Sequence, residues 1–225
     1  MFHTIFIFIF TLLAYLGSLW LFRKSSFPLL HPLITSSALI IVMLNVMGYS
    51  YEEFKKATQV INFLLGPSVV ALGWALYKQI ETLKANLASI LASITVGSLV
   101  GIVSVMGVLR LFGVPLSIEA SLLPKSVTTP IAIQIAERSG GIVSLTAVIV
   151  ILTGIFGGIV APFVFRKIGI TDSIAKGLAL GTAAHGVGTA RAMEMGAVEG
   201  ALSGLAIGVA GLVTTLLVPL VELIF

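Results

Sequence analysis

Long uncharged runs of apolar residues, separated by short charged segments, most strongly constrain the fold of this chain. The first run covers residues 2–22 and ends at Arg23 and Lys24, and the last covers residues 200–221. About 20 apolar residues form a helix long enough to cross the hydrocarbon core of a bilayer. Because lipid offers the backbone no hydrogen-bonding partner, these runs are expected to be α-helices.

Charged side chains are too few for a soluble protein. Only 10% of the 225 residues are charged, against roughly 25% in soluble domains. The sequence predicts an all-α, polytopic integral membrane protein with about 7–9 transmembrane segments, some of them broken or re-entrant. We expect one transmembrane domain over residues 1–225, with a retained first span that is too long for a signal peptide. Further spans are expected within residues 28–47, 57–77, 85–109, 141–165 and 174–195.

Several classes of function have no support in the sequence. The net charge of +4 is spread over short loops and forms no patch, so no nucleic-acid partner is expected. There are no cysteines, and no two of the three histidines have metal-ligand spacing, so no metal or cofactor is expected. No Walker loop, nucleophile elbow or pair of catalytic carboxylates is present, which argues against an enzyme.

The basic residues beside the apolar runs predict an orientation. With the N-terminus outside, Arg23 and Lys24 lie inside. Arg166 and Lys167 also lie inside only if residues 111–140 cross the membrane an even number of times. We therefore expect two half-spans or a re-entrant hairpin there, in a multi-pass protein of the inner (cytoplasmic) membrane.

Residues 124–130, Pro-Lys-Ser-Val-Thr-Thr-Pro, interrupt an apolar region. Pro124 and Pro130 indicate a broken helix, with Pro130 in the first turn of the next one. The N–H groups at that helix start, together with nearby side chains, would suit a carboxylate. The side chains are Lys125, Ser126, Thr128 and Thr129. The alternative is a surface loop with Lys125 extended toward the headgroups.

Residues 181–191 carry a second polar motif inside an apolar run. Thr182, His185 and Thr189 share one helix face at i, i+3 and i+7, and Gly186 and Gly188 allow close backbone approach or a break at the histidine. His185 could carry a coupled proton, because imidazole titrates near neutral pH, or it could be a packing residue.

Arg191 completes the predicted substrate site or lies outside it. Its guanidinium could hold a carboxylate through two hydrogen bonds, or it could pair with Glu194 at i, i+3. The predicted substrate-binding residues are Lys125, Ser126, Thr128, Thr129, Thr182, His185, Gly188, Thr189 and Arg191. The predicted helix breaks are Gly66, Pro67, Pro124, Pro130 and Gly186.

Gly66 and Pro67 are a weaker break near a similar stretch of sequence. Residues 64–69 resemble residues 122–127, which suggests an inverted repeat of residues 60–110 and 118–167. The alternatives are chance similarity between apolar segments and an ordinary proline kink in which Ser68 satisfies the freed carbonyl.

Glycines at small-xxx-small spacing predict close helix packing, within or between subunits, and a homo-oligomer is expected. They are Gly154, Gly157 and Gly158, and Gly200, Gly204, Gly208 and Gly211.

Three motifs resemble the LrgB/CidB family: residues 64–67 with 71–72 and 76–79, residues 124–132, and residues 175–192. The resemblance runs from about residue 28 to the end of the chain. It departs from the family pattern at His31-Pro32, where Asn-Pro is expected, and at Ser68-Val69, where Ala-Thr is expected.

The resemblance implies two functions. Bacterial members are named antiholin-like proteins that modulate murein hydrolase activity and cell lysis beside a small holin-like LrgA/CidA-type membrane protein. The plant member is a glycolate/glycerate carrier, and bacterial members are tied to pyruvate movement. The polar motifs agree with the carrier, so a transporter or facilitator of small monocarboxylates is expected, with a regulator of autolysis as the alternative.

Overall fold

The computed structural model describes residues 2–25, 27 and 30–224, and within those ranges it contains helices and no strands. Pro28, at the start of the second predicted span, lies outside the described residues. The helices are α1 Phe2–Ser25, α2 Pro32–Met47, α3 Tyr51–Ala57, α4 Gln59–Phe63, α5 Leu65–Tyr77, α6 Ile80–Leu111, α7 Leu116–Leu122, α8 Thr129–Arg138, α9 Val143–Ile168, α10 Ser173–Met195 and α11 Ala197–Ile224.

Five helical segments of the described chain are long and apolar enough to cross a membrane. They are Phe2–Ser25, Gln59–Tyr77, Ile80–Leu111, Val143–Ile168 and Ala197–Ile224. Pro32–Met47 is a shorter apolar helix, and α10 is interrupted at His185. The prediction of an all-α, polytopic membrane protein is confirmed.

The chain forms two compact units, Met1–Ala71 and Leu72–Phe225, and the expected single transmembrane domain stays a prediction. In the first unit, Ile7, Met43 and Ala57 form a small core between α1, α2 and α3. His3 adds a hydrogen bond of 2.7 Å between its Nδ1 and the Tyr49 hydroxyl.

Helices of the first unit are capped by residues next to their ends. The Nδ1 of His31 accepts a hydrogen bond from the Leu33 N–H at 3.4 Å, and Pro32 follows as the first residue of α2. This histidine therefore takes the N-cap position, for which asparagine is a preferred residue. At α3, Ser50 and Glu53 form a reciprocal capping box.

The Gly66–Pro67 break lies in the first turn of α5, and both residues are exposed. Proline has no N–H to give to the carbonyl four residues earlier, which is that of Phe63. The Ser68 hydroxyl donates instead to the next carbonyl, that of Leu64, at 2.8 Å. Ser68 thus makes a local hydrogen bond, but not to the carbonyl that the proline frees.

Glycines allow the helices of the second unit to approach closely. A Cβ at Gly181 would collide with the Ser203 carbonyl, and one at Gly177 would collide with the Glu199 carbonyl. Both contacts join α10 to α11, and the fully buried Leu202 packs beside them with Ile94 of α6. The packing role expected of small residues therefore extends to these two glycines of α10.

The order of helices is similar before and after residue 115. Two short helices precede a long one in α4, α5 and α6, and again in α7, α8 and α9. This order is what a repeat of residues 60–110 and 118–167 would produce, and the inverted repeat stays a prediction.

Candidate functional site

A break at residues 123–128 separates two helices that are each too short to cross a bilayer. The 7 residues of α7 and the 10 residues of α8 give lengths of about 10 and 15 Å, against about 30 Å of hydrocarbon. Pro130 is the second residue of α8, and Thr128 is its N-cap residue without a side-chain capping bond. The segment therefore has the geometry of two half-helices.

Packing inside the second unit holds this break. Leu123, Pro124 and Val127 are buried, and Val127 packs on Val150 of α9. An interrupted backbone at membrane depth needs such protein surroundings. The burial favours the broken helix over the surface loop.

A hydrogen bond from a distant residue fixes the end of α7. The fully buried Ser121 accepts, at its Oγ, a bond of 2.7 Å from the N–H of Ile142, just before α9. Gly141 lies so close that a Cβ there would be 2.9 Å from the Ser121 nitrogen. The α8–α9 turn thus holds the start of the break in place.

The break opens onto a cavity of about 420 Å³. Residues of α6, α10 and α11 complete its wall. Its polar side chains are Ser93 and Ser98 of α6, Lys125 and Ser126 of the break, Thr182 of α10 and Thr214 of α11. Gly97 and Gly101 of α6 also line the cavity, and the absence of a side chain there leaves it room.

Lys125 is the only ionisable side chain among the described residues that line this cavity. Its Nζ donates a hydrogen bond of 3.0 Å to the Ser126 Oγ. The ammonium has three donors, so two remain for a ligand or water. The cavity wall therefore has one positive charge, that of Lys125, among hydroxyl groups and no carboxylate. Its electrostatic potential is expected to be positive.

His185 lies behind the cavity wall, at the kink of α10. It has φ +40° and ψ −128°, and it is the one described residue other than glycine with positive φ. Its Nε2 is 2.9 Å from the Val150 carbonyl, and since a carbonyl only accepts, Nε2 carries a proton. Val150 therefore contacts both interruptions, through Val127 and through His185.

Glycines make room for this kink. A Cβ at Gly154 would lie 2.7 Å from the Cε1 of His185, and one at Gly157 would lie 2.6 Å from the Ala184 Cβ. Gly188 approaches the Leu180 carbonyl, which the kink brings back toward it. Gly186 has open space around its Cα. The non-helical residue is His185, where the sequence allowed a break, and not the adjacent Gly186.

Thr189 joins α10 to α11. Its hydroxyl oxygen is 3.0 Å from the His185 carbonyl, to which it donates, and 2.7 Å from the Ser203 Oγ. Thr189 is buried and does not line the cavity. It is a packing contact of the kink.

Arg191 pairs with Glu194, the second of the two roles considered for it. The guanidinium and the carboxylate form an exposed i, i+3 ion pair, and neither residue lines the cavity.

The structure thus brings together some of the predicted site residues. Lys125, Ser126 and Thr182 share the cavity, whereas the others lie outside its wall: Thr128, Thr129, His185, Gly188, Thr189 and Arg191. Sequence reasoning missed Ser93, Ser98 and Thr214. A signal was present in α6, where Ser93, Gly97 and Gly101 recur every four residues and so share one helix face.

Comparison with known proteins identifies the family. The LrgB-like family matches residues 11–224. Uncharacterized protein YxaC of Bacillus subtilis (strain 168) is 36% identical over 98% of this chain and 96% of its own length. Antiholin-like protein LrgB of Bacillus mycoides (strain KBAB4) is 36% identical over 93% of this chain and 92% of its own, as is that of Bacillus cereus (strain B4264). No solved structure matches the chain. The chain therefore belongs to the LrgB-like family.

Proposed function

We propose that this protein is a non-enzymatic transporter or facilitator of small monocarboxylates in the cytoplasmic membrane. The observation that carries the proposal is the cavity whose described wall has one ionisable group, Lys125, surrounded by hydroxyls. A carboxylate would accept hydrogen bonds from the ammonium and from Ser126 and Thr182, and no acidic side chain of that wall would repel it.

The cavity size suits a small solute. Its volume of about 420 Å³ is near the lower end of ligand pockets, at about 300–1,000 Å³. Glycolate, glycerate and pyruvate would fit with hydration water, held between the half-helix break and α6. The break would supply the binding groups, as interrupted helices do in secondary transporters.

His185 would couple substrate binding to protonation indirectly, by changing the charge near the cavity. Its Nε2 proton is bound to the Val150 carbonyl, which leaves Nδ1 as the nitrogen able to gain or lose one. Protonation would place a second positive charge behind the cavity wall, near Lys125. A pH gradient would then change uptake without His185 contacting the substrate.

Uptake of labelled glycolate, glycerate and pyruvate into liposomes that contain the purified full chain tests this function. We expect saturable uptake, lowered about 10–100-fold in Lys125→Met, because a charge-assisted hydrogen bond is lost. Lys84→Met is the matched control, since Lys84 is exposed and pairs with Glu81. Normal uptake in Lys125→Met, with the variant folded, would contradict the proposal.

A second candidate is an antiholin-like regulator of murein hydrolase activity and cell lysis. The names of the Bacillus mycoides and Bacillus cereus relatives favour it. It would act as a homo-oligomer or with a small LrgA/CidA-type membrane protein. Release of an unselected dye from the same liposomes, without saturable carboxylate uptake, would support a pore. Dye release that appears only after the small LrgA/CidA-type protein is added would support a regulator that acts with that partner.

A further inference from the structure

A second cavity, distinct from the Lys125 cavity, lies where α9 meets α10. Its volume is about 450 Å³, and no residue lines both cavities. Pro162, Phe165, Ile170 and Met195 form an apolar part of the wall. We call these four residues the apolar floor of the cavity. Phe165 belongs to a buried cluster on which Ile170 and Met195 pack, so the floor is a fixed part of the second unit.

Two cations from different helices line the same cavity. Arg166 comes from the last turn of α9, and Lys176 comes from the first turns of α10. Neither forms an ion pair within the described part of the chain. Thr171 adds a hydroxyl to the wall. The nearby carboxylate of Asp172 does not line the cavity, and its Oδ1 accepts the Ala175 N–H at 2.7 Å as the cap of α10.

The length of α9 places this cavity at the membrane surface. Its 26 residues extend over about 39 Å, which exceeds the hydrocarbon thickness of about 30 Å. Arg166 is three residues from the turn at Gly169, so the excess length of α9 is enough to bring it to headgroup level. Basic residues there also favour the inner side of the membrane.

We propose that this cavity binds the phosphate group of an anionic phospholipid. Arg166 and Lys176 hold the phosphate, and Thr171 donates a hydrogen bond to it. The apolar floor of the cavity receives the first part of an acyl chain. Basic pockets between transmembrane helices on the inner side bind anionic headgroups for the same reasons.

A lipid fits this cavity better than a free phosphate ion. A free ion uses the two cations and leaves the apolar floor in contact with water, whereas a phospholipid covers both. The rest of both acyl chains of the bound lipid remains in the bilayer. The lipid is already confined to the membrane, so binding costs it little translational freedom. This inference is independent of carboxylate transport, since it uses none of the residues of the Lys125 cavity.

Melting of the purified full chain in neutral detergent tests the proposal. Phosphatidylglycerol is titrated into the micelles, with phosphatidylcholine, inorganic phosphate and glycerol 3-phosphate in parallel. We expect phosphatidylglycerol alone to raise the melting temperature in a saturable way. Arg166→Gln is expected to weaken its apparent affinity about fivefold, and Arg166→Gln with Lys176→Gln about 30-fold.

The matched control removes the same charge outside the cavity. Lys167 follows Arg166, but its Nζ lies 6.0 Å from the centre of the Phe163 ring, and Lys78 lies over the Trp74 ring. The double variant with glutamine at those two positions keeps lipid affinity within about twofold of the parent. The charge-conserving pair Arg166→Lys and Lys176→Arg, which keeps both cations, retains most of it.

Three results would overturn the proposal. Equal loss of affinity in both double variants would mean a general effect of net charge. Equal stabilisation by phosphatidylcholine, whose choline neutralises the phosphate, would mean that the net negative charge of the lipid is not recognised. Stabilisation by inorganic phosphate that matches the lipid and needs Arg166 and Lys176 would identify a free anion as the occupant.

Discussion

The two units of the chain satisfy the polar groups at their helix ends in different ways. In the first unit one side-chain bond is distant, that of His3 with Tyr49. The partners at its helix caps and at the Gly66–Pro67 break are neighbours in sequence: His31 with Leu33, Ser50 with Glu53, and Ser68 with Leu64. The second unit also has local bonds, such as the Asp172 cap of α10, but four of its hydrogen bonds span 14 to 83 residues. They are Thr189 with Ser203, Ser121 with Ile142, His185 with Val150, and Ser139 with Glu222.

This difference explains why two similar stretches of sequence play different parts. Gly66 and Pro67 are followed by Ser68, whose hydroxyl bonds within its own helix, and all three residues are exposed. The break at 123–128 is held by α9 and opens onto a cavity between helices. Prolines interrupt a helix in both places. Only the break at residues 123–128 packs against helices distant in sequence, and only there is a polar cavity enclosed.

A methyl group at the α9–α10 contact gives the largest expected effect. The Cβ of Gly154→Ala would lie 2.7 Å from the His185 Cε1, so the imidazole must move and its bond to Val150 is lost. We expect a loss of about 1–3 kcal/mol of stability. Gly66→Ala meets open space apart from its chain neighbours. The gain from replacing glycine is opposed by the helical position before Pro67, so the change in stability should stay below about 1 kcal/mol.

Unfolding of both variants in the same detergent measures this contrast. Equal stability of the two glycine variants would show that the α9–α10 contact adapts to a methyl group. The kink at His185 would then not depend on distant packing.

Removal of one hydroxyl from each unit gives the next largest difference. Ser121→Ala removes the buried hydroxyl that accepts from the N–H of the exposed residue Ile142, which should cost about 1–1.5 kcal/mol. Ser68→Ala removes a bond to a carbonyl that the Ser68 N–H also contacts, so its cost should stay below about 0.5 kcal/mol. Denaturant titration of the two variants measures both. A cost at Ser68 equal to that at Ser121 would remove the distinction between local and distant bonds.

Sequence reasoning identified the local features and missed the distant ones, for the same physical reason. Apolar length predicts the helices, and proline, lysine and hydroxyls within seven residues predict the break around Lys125. Helix periodicity gives the face that Thr182 occupies, but not which helix it meets. Ser93 and Thr214 reach the cavity only because α6 and α11 pack there, and no spacing within one helix specifies that contact.

The same limit applies to His185 and Arg191. Threonine, histidine and glycine in one motif indicate an unusual helix, and the structure has a kink at that histidine. The bond from His185 to Val150 joins residues 35 positions apart and could not be read from the motif. Arg191 has an acidic partner three residues away, which is why the local alternative could be stated from the sequence alone.

The N-caps of α3 and α8 give a smaller expected difference in stability. Ser50 caps α3 through its side chain, whereas Thr128 makes no side-chain capping bond at α8. We expect Ser50→Ala to cost about 1 kcal/mol and Thr128→Ala less than about 0.5 kcal/mol. Hydrogen exchange of the first-turn amides in each helix measures the two effects. A larger loss at α8 would reveal that Thr128 stabilises its helix start by a contact other than a cap.

The smallest effect concerns the pH dependence of the α3 cap. Hydrogen bonds from the Ser50 N–H and then the Ser50 hydroxyl lower the pKa of Glu53 below its ordinary value of 4.5. Because the folded pKa is the lower one, this contribution is present above pH 4.5 and is lost as the pH falls through the folded pKa. Near pH 6 the α3 amides should exchange more slowly in the parent protein than in the Glu53→Gln variant, with both measured at the same pH. The difference should shrink near pH 3, whereas the start of α8, whose N-cap Thr128 does not titrate, should show no such change. A difference at α3 that is the same at both pH values would mean that the carboxylate charge does not contribute to the cap.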